Sequence, residues 1–260
     1  MKQFFLLLLL SSFLMGCDTY KETFDAAGTG ELTIKLNLIH DDDSLTYNKE
    51  YINALSQKYI MSDFRFYLSN IVLRDTSATN HFKVPESYHL IEMINKADTS
   101  ILLKGLPNHA FTELEFSVGV DNSANYSTDQ IGDLDPANGM AWNWDTGYKF
   151  MLVEGLRLID SVNTKGLVYH IGGDANYRTV KFSGKEIYLN RNHRQEIVLD
   201  VHVDFIFGDK KEALVPEDQR KTNFIDFTND TDQDTMFGPN TQLIADNYAQ
   251  MFEWKEIFVK

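Results

Sequence analysis

Cysteine is almost absent from this chain, with one residue, Cys17, among 260. Without a second thiol there is no internal disulfide, no CxxC redox motif and no zinc site built on cysteines. Positive charge is scarce too: 24 Lys and Arg stand against 38 Asp and Glu, a net charge of −14. Phosphate binding is driven by Lys and Arg, so nucleic acid is not an expected partner, whereas cations are compatible. Catalytic signatures are also missing. No Ser-His-Asp order, glycine-rich phosphate loop or HExxH occurs, and carboxylates are too abundant for any two to be singled out as a glycosidase pair. The expectation is a protein that is not an enzyme.

Long apolar runs are absent except at the start, where "MKQFFLLLLLSSFLMG" (1–16) joins one positive charge to a hydrophobic stretch and ends on a small residue. It is shorter than the ~20 residues a membrane span needs, so it reads as an export signal peptide. "LMGC" (14–17) resembles a bacterial lipobox, in which cleavage leaves Cys17 to carry lipid. Acyl chains contributing about 0.8 kcal/mol per buried methylene would anchor the protein stably. The expected location is a Gram-negative cell envelope, lipid-anchored at the outer membrane. Residues 17–30 lack periodicity and read as a tether, and residues 31–260 as one domain, an ordinary length for all-β architecture.

From Glu31 the pattern changes. "ELTIKLNLI" alternates, with Leu32, Ile34, Leu36 and Leu38 on one face, as a half-buried strand does. Further strands are predicted at 64–73, 88–94, 100–106, 113–120, 148–159, 178–184 and 195–208, separated by Gly, Pro, Asn and Asp clusters. Many short strands with little helix predict an all-β antiparallel sandwich. One helix is expected near the C-terminus, over 240–254, capped by Asn240 or Thr241.

With no thiols, a metal site falls to His, Asp, Glu and Met, and strand parity sorts the seven histidines. His40 continues the core-facing row of the first strand, just before Asp41, Asp42 and Asp43. His89 shares parity with Ile91 and Met93. His170, in "GLVYHIGG", lies in a run apolar at both parities, and an inward position is expected, beside glycines that let another backbone approach. His202 shares the polar face of its strand with Asp200 and Asp204 and is expected in solvent. His81, His109 and His193 sit in turn-like stretches. A single inward histidine is ordinarily a satisfied core residue; two or three on one rim favour a copper or zinc site, with the aspartates at 41–43 able to orient the rings.

Other constellations are weaker. Asp230, Asp232 and Asp234 have the alternate spacing of a calcium loop, but Thr235 and Thr241 stand where an EF-hand needs Gly and Glu, so a solvated acidic loop is the better reading. Asp121 and Asn125 in "GVDNSANYS" offer hard oxygens as well, yet Asp-Asn turns are common without metal. In "GMAWNWDTGYKF", Met140, Trp142 and Trp144 share one parity. Their large apolar area favours a core role over contact with soft copper or a glycan.

Taken in order, "FRFYLSNIVL", "YHLIE", "LEFSVGVDNSAN", "LDPANGMAWNWDTGYKFMLVEG" and "YHIGG" resemble the MbnP-like family of exported copper-binding β-sandwich proteins, over about residues 31–207. The resemblance implies one copper ion held by histidines, for acquisition, storage or delivery. It points to His40 and His89, with His170 as a third or outer-shell residue. Characterised relatives also use kynurenine, made from tryptophan by a partner di-haem enzyme of the MauG and cytochrome c peroxidase type. "HDDDSLTYN" holds no tryptophan after His40, so such a modification would fall to Trp142 or Trp144, and a site of histidines alone is the simpler expectation. A surface lipoprotein that binds a glycan or protein through exposed aromatics is the competing reading.

Overall fold

A computed structural model describes residues 30–76, 81–92, 99–127, 129–142, 147–190, 194–228 and 240–259. The signal peptide, Cys17, the tether up to residue 29, Trp144, His193 and the aspartates 230, 232 and 234 lie outside the described residues.

Thirteen strands and two short α-helices are present among the described residues. In chain order the strands are β1 (Gly30–His40), β2 (Asp43–Ser44), β3 (Glu50–Ile52), β4 (Lys58–Arg74), β5 (His81–Lys83), β6 (Tyr88–Glu92) and β7 (Ser100–Leu106). They continue as β8 (His109–Val118), β9 (Lys149–Leu158), β10 (Thr164–Gly172), β11 (Arg178–Leu189), β12 (Arg194–His202) and β13 (Phe252–Val259), with helices α1 (Asn122–Asn125) and α2 (Asn240–Tyr248). One sheet runs β13-β12-β1-β2, with β7 also on β1; the other runs β10-β9-β4-β8-β11, with β3, β5 and β6 on β4. The fold is the all-β sandwich that the alternation predicts.

The alternating row of β1 is buried as expected, and Leu32, Ile34, Leu36 and Leu38 enter the core between the sheets. Burial of each such side chain contributes about 1.5–3 kcal/mol. In β4 the register on β9 shifts between Met61 and Asp63, so the inward series passes from Tyr59 and Met61 to Phe64, Phe66 and Leu68. A bulge of this kind inverts parity along a strand.

Two predicted elements end early. The expected helix stops at Tyr248, because Phe252–Val259 pairs with β12 and closes the sheet edge instead. The run 195–208 is strand only to His202; Val203–Phe207 is a 3-10 turn.

A second, smaller core of Tyr67, Val120, Leu134, Met140, Tyr148, Phe150 and Leu152 packs outside the main one. Asp121 organises its rim, accepting hydrogen bonds from Asn70 Nδ2 (2.7 Å), the Tyr88 hydroxyl (2.6 Å) and the Ser123 backbone N–H (3.1 Å). Although partial burial raises its pKa, hydrogen bonds from Asn70, Ser123 and Tyr88 outweigh this and hold the carboxyl at about 2. Its oxygens are thus committed within the fold. Asp121→Ala removes the acceptor that these groups share and is expected to lower stability by about 2–3 kcal/mol in urea unfolding; an unchanged midpoint would contradict this role.

Candidate metal centre

His40 ends β1 on its core-facing row and is 1% exposed. Tyr51 stacks on its ring at 3.7 Å between centroids, and Nε2 lies 2.6 Å from the Tyr59 hydroxyl. Tyr59 packs in turn edge-on against Phe207 and Phe227. On the other side of the ring, Asp41 Oδ2 lies 3.3 Å from the buried Nδ1, close enough to attract it but without hydrogen-bond alignment. Asp41 is ion-paired with Lys210. Burial pulls the His40 pKa down to about 4, against the opposing pull of Asp41, and the ring is neutral at pH 7. A neutral imidazole is the form that binds a metal.

Asp204 enters this cluster from the 3-10 turn after β12. It is 6% exposed, accepts a hydrogen bond from the Asp41 backbone N–H, and leaves Oδ1 without a partner. Burial pushes its pKa up to about 6, reinforced by the Asp41 charge. Parity had placed Asp204 with His202 on the outer face, but that argument fails where the strand stops.

The other predicted ligands lie elsewhere. His89 faces inward as expected, paired with Leu68, and its Nε2 is likewise buried without a partner. Leu68 stands nine residues along β4 from Tyr59, about 30 Å at strand rise, so His40 and His89 do not meet. His89 instead borders a separate cleft of about 350 Å³ with Glu92, Ser100, Asp133 and Asn138. His170 is not inward. It pairs with Leu152 while its neighbours Tyr169 and Ile171 fill the core, and it bonds Glu154 at 2.8 Å beside Trp142. Among the described residues no group of three or more His, Cys, Asp or Glu is arranged around one metal position.

His202 also departs from expectation. It is on the outer face, yet Phe205 stacks on it at 4.5 Å and Glu253 holds Nε2 at 3.0 Å, so it is buried. Trp142 is half-buried outside the main core, with Lys149 Nζ 5.6 Å from its ring centre. A Cβ at Gly172 would stand 2.5 Å from the Tyr148 carbonyl oxygen and 3.1 Å from the Trp142 ring, the close approach anticipated for "HIGG".

The MbnP family profile matches residues 29–237. This chain belongs to the MbnP family. Among solved structures it is similar to MbnP from Methylosinus trichosporium, at 14% identity and a TM-score of 0.52, covering 89% of this chain and 99% of that one. At that identity the likeness is one of fold. No curated protein matches. The family match runs past the 3-10 turn, so the segment carrying Asp204 and Lys210 belongs to the MbnP domain. The sequence resemblance had ended at about residue 207.

Proposed function

We propose that this MbnP-family protein binds one copper ion through His40, for acquisition, storage or delivery, without catalysing a reaction. Family membership supports the copper reading. The observation that carries the site is the buried His40 ring, whose Nε2 is held by Tyr59 while Nδ1 faces the Asp41 carboxylate without an aligned hydrogen bond. Metal-bound histidines commonly anchor their second nitrogen in this way. The proposal includes lipid anchorage through Cys17 at the outer membrane of a Gram-negative envelope and service by a di-haem partner enzyme. His89 and His170 have no part in the His40 site.

Copper titration of the purified mature domain tests this reading. One copper per chain is expected, lost in His40→Ala and retained in His89→Ala. Tight copper binding by His40→Ala would rule the site out.

A further inference from the structure

We infer that the outer face of the hairpin formed by β9 and β10 is an interface on which a second copy of this chain docks, about a two-fold axis running between the two strands. The inference is independent of copper.

The outer face of the larger sheet changes along its length. Phe150 and Leu152 point outward from β9 and are covered by Val120, Leu134 and Met140 in the smaller core. Further along β9 the same outward row is uncovered, and Leu156 is 43% exposed. Ile60 stands beside it in register and is half-buried, as is Leu158, and Ile52 of β3 is 41% exposed. At the hairpin tip Ile159 and Val162 are 57% and 84% exposed. A contiguous apolar patch of this kind marks an interaction surface.

Shape, charge and position together select a second copy as the occupant. Gly166 lies directly opposite Leu156 in the hairpin, and a Cβ on it would meet only Val168 Cγ2, at 3.8 Å. An exposed knob thus adjoins an open notch. A two-fold axis between the strands sets each Leu156 over the other copy's Gly166, the reciprocal contact of an isologous interface. The chain carries a net charge of −14, so two copies repel except where a face is locally neutral. Here Glu154 is matched by His170 at 2.8 Å, Lys58 by Glu50 at 2.7 Å and Asp63 by Arg65 at 2.6 Å. Asp160, at the tip, accepts from the backbone N–H groups of Val162 and Asn163. Position argues against a lipid surface. β1 starts at Gly30 beside Leu106 and runs about 35 Å at strand rise to His40, next to Tyr59. Tyr59 pairs with Arg157, the neighbour of Leu156, so the residues preceding Gly30 join the opposite end of the sandwich. The patch is small for an obligate dimer, so association is reversible and strengthens as salt screens the like charges.

Sedimentation equilibrium of the mature chain carrying Cys17→Ser, from micromolar to millimolar concentration, tests this. Wild type at this face is expected to show a monomer–dimer equilibrium that shifts toward dimer at high salt. Gly166→Leu fills the notch and Leu156→Lys charges the knob. Each is expected to weaken association at least about tenfold while melting close to wild type, because both positions face open space. A short thiol-specific cross-linker is expected to join Leu156→Cys chains to Gly166→Cys chains more efficiently than either to itself; equal yields would overturn the axis. Monomer throughout the concentration range would overturn the proposal, and so would wild-type association in either variant. A monomer that instead binds phosphatidylcholine vesicles, and loses them in Leu156→Lys, would give the face to lipid and overturn the second copy.

Discussion

Gly155→Ala is expected to destabilise the fold by about 3 kcal/mol or more, lowering the thermal midpoint by roughly 10 °C. Gly155 lies in β9 opposite Met61 of β4, beside the bulge. A Cβ there would stand 1.9 Å from the Ile60 carbonyl oxygen and 2.9 Å from its carbon. Both are backbone atoms, so no side-chain rotation relieves the clash. The two central strands of the larger sheet must part, and the core rows beneath them shift. Gly166→Ala is the control. Its Cβ would meet only Val168 Cγ2, at 3.8 Å, and its cost is expected to stay near that of an ordinary surface substitution. Equal losses in both variants would mean that something other than close approach makes Gly155 necessary.

The second large effect is a pair of opposed pH dependences in the metal-free protein. His40 is pulled down from an ordinary 6.5 to about 4. Its contribution is therefore present above pH 6.5 and lost as pH falls toward 4, where the unfolded chain binds the proton first. Asp204 is pushed up from 3.8 to about 6. Here the folded chain binds the proton first, so stability is greatest at low pH and falls as pH rises through 6. Each shift corresponds to roughly 3 kcal/mol at most, and between pH 4 and 6 the two offset each other. Wild type is thus expected to show little change from this pair. Asp204→Asn exposes the His40 slope and loses about 3 kcal/mol between pH 7 and 4, whereas His40→Gln exposes the opposite slope. Urea midpoints at four pH values would measure this; superimposable profiles for wild type and Asp204→Asn would show that burial does not shift Asp204.

The regular parts of the fold were legible because strand parity is a strong signal wherever a strand is unbroken. β1 and β6 kept their alternation, so the inward direction of His40 and His89 followed from the sequence. Parity says which way a side chain points but not how far along the neighbouring strand it lands. For that reason it grouped two histidines that sit at different places along β4. The bulge at Met61 and Asp63 leaves no compositional mark that parity would register. The turn after β12 hid Asp204, since "VHVDFIF" alternates as a strand does while the chain coils back beneath the end of β1. His202 read as exposed because nothing in sequence spacing announced that Phe205 would cover it. Trp142, prominent by rarity, is half-buried outside the main core, beside His170 and Lys149.

The parallel pairing of β1 with β12 has a kinetic consequence. Asn37 and Asp200, hydrogen-bonded across these strands, are 163 residues apart in sequence. The pairing of β1 with β12 therefore cannot form until most of the chain is available, and such non-local pairing is slow to form. A chain emerging gradually would have β7 available to β1 early, but the β12 edge of β1 would stay open through nearly all of synthesis. The cluster around His40, which takes Asp204 from the turn after β12, is therefore completed only at that late stage.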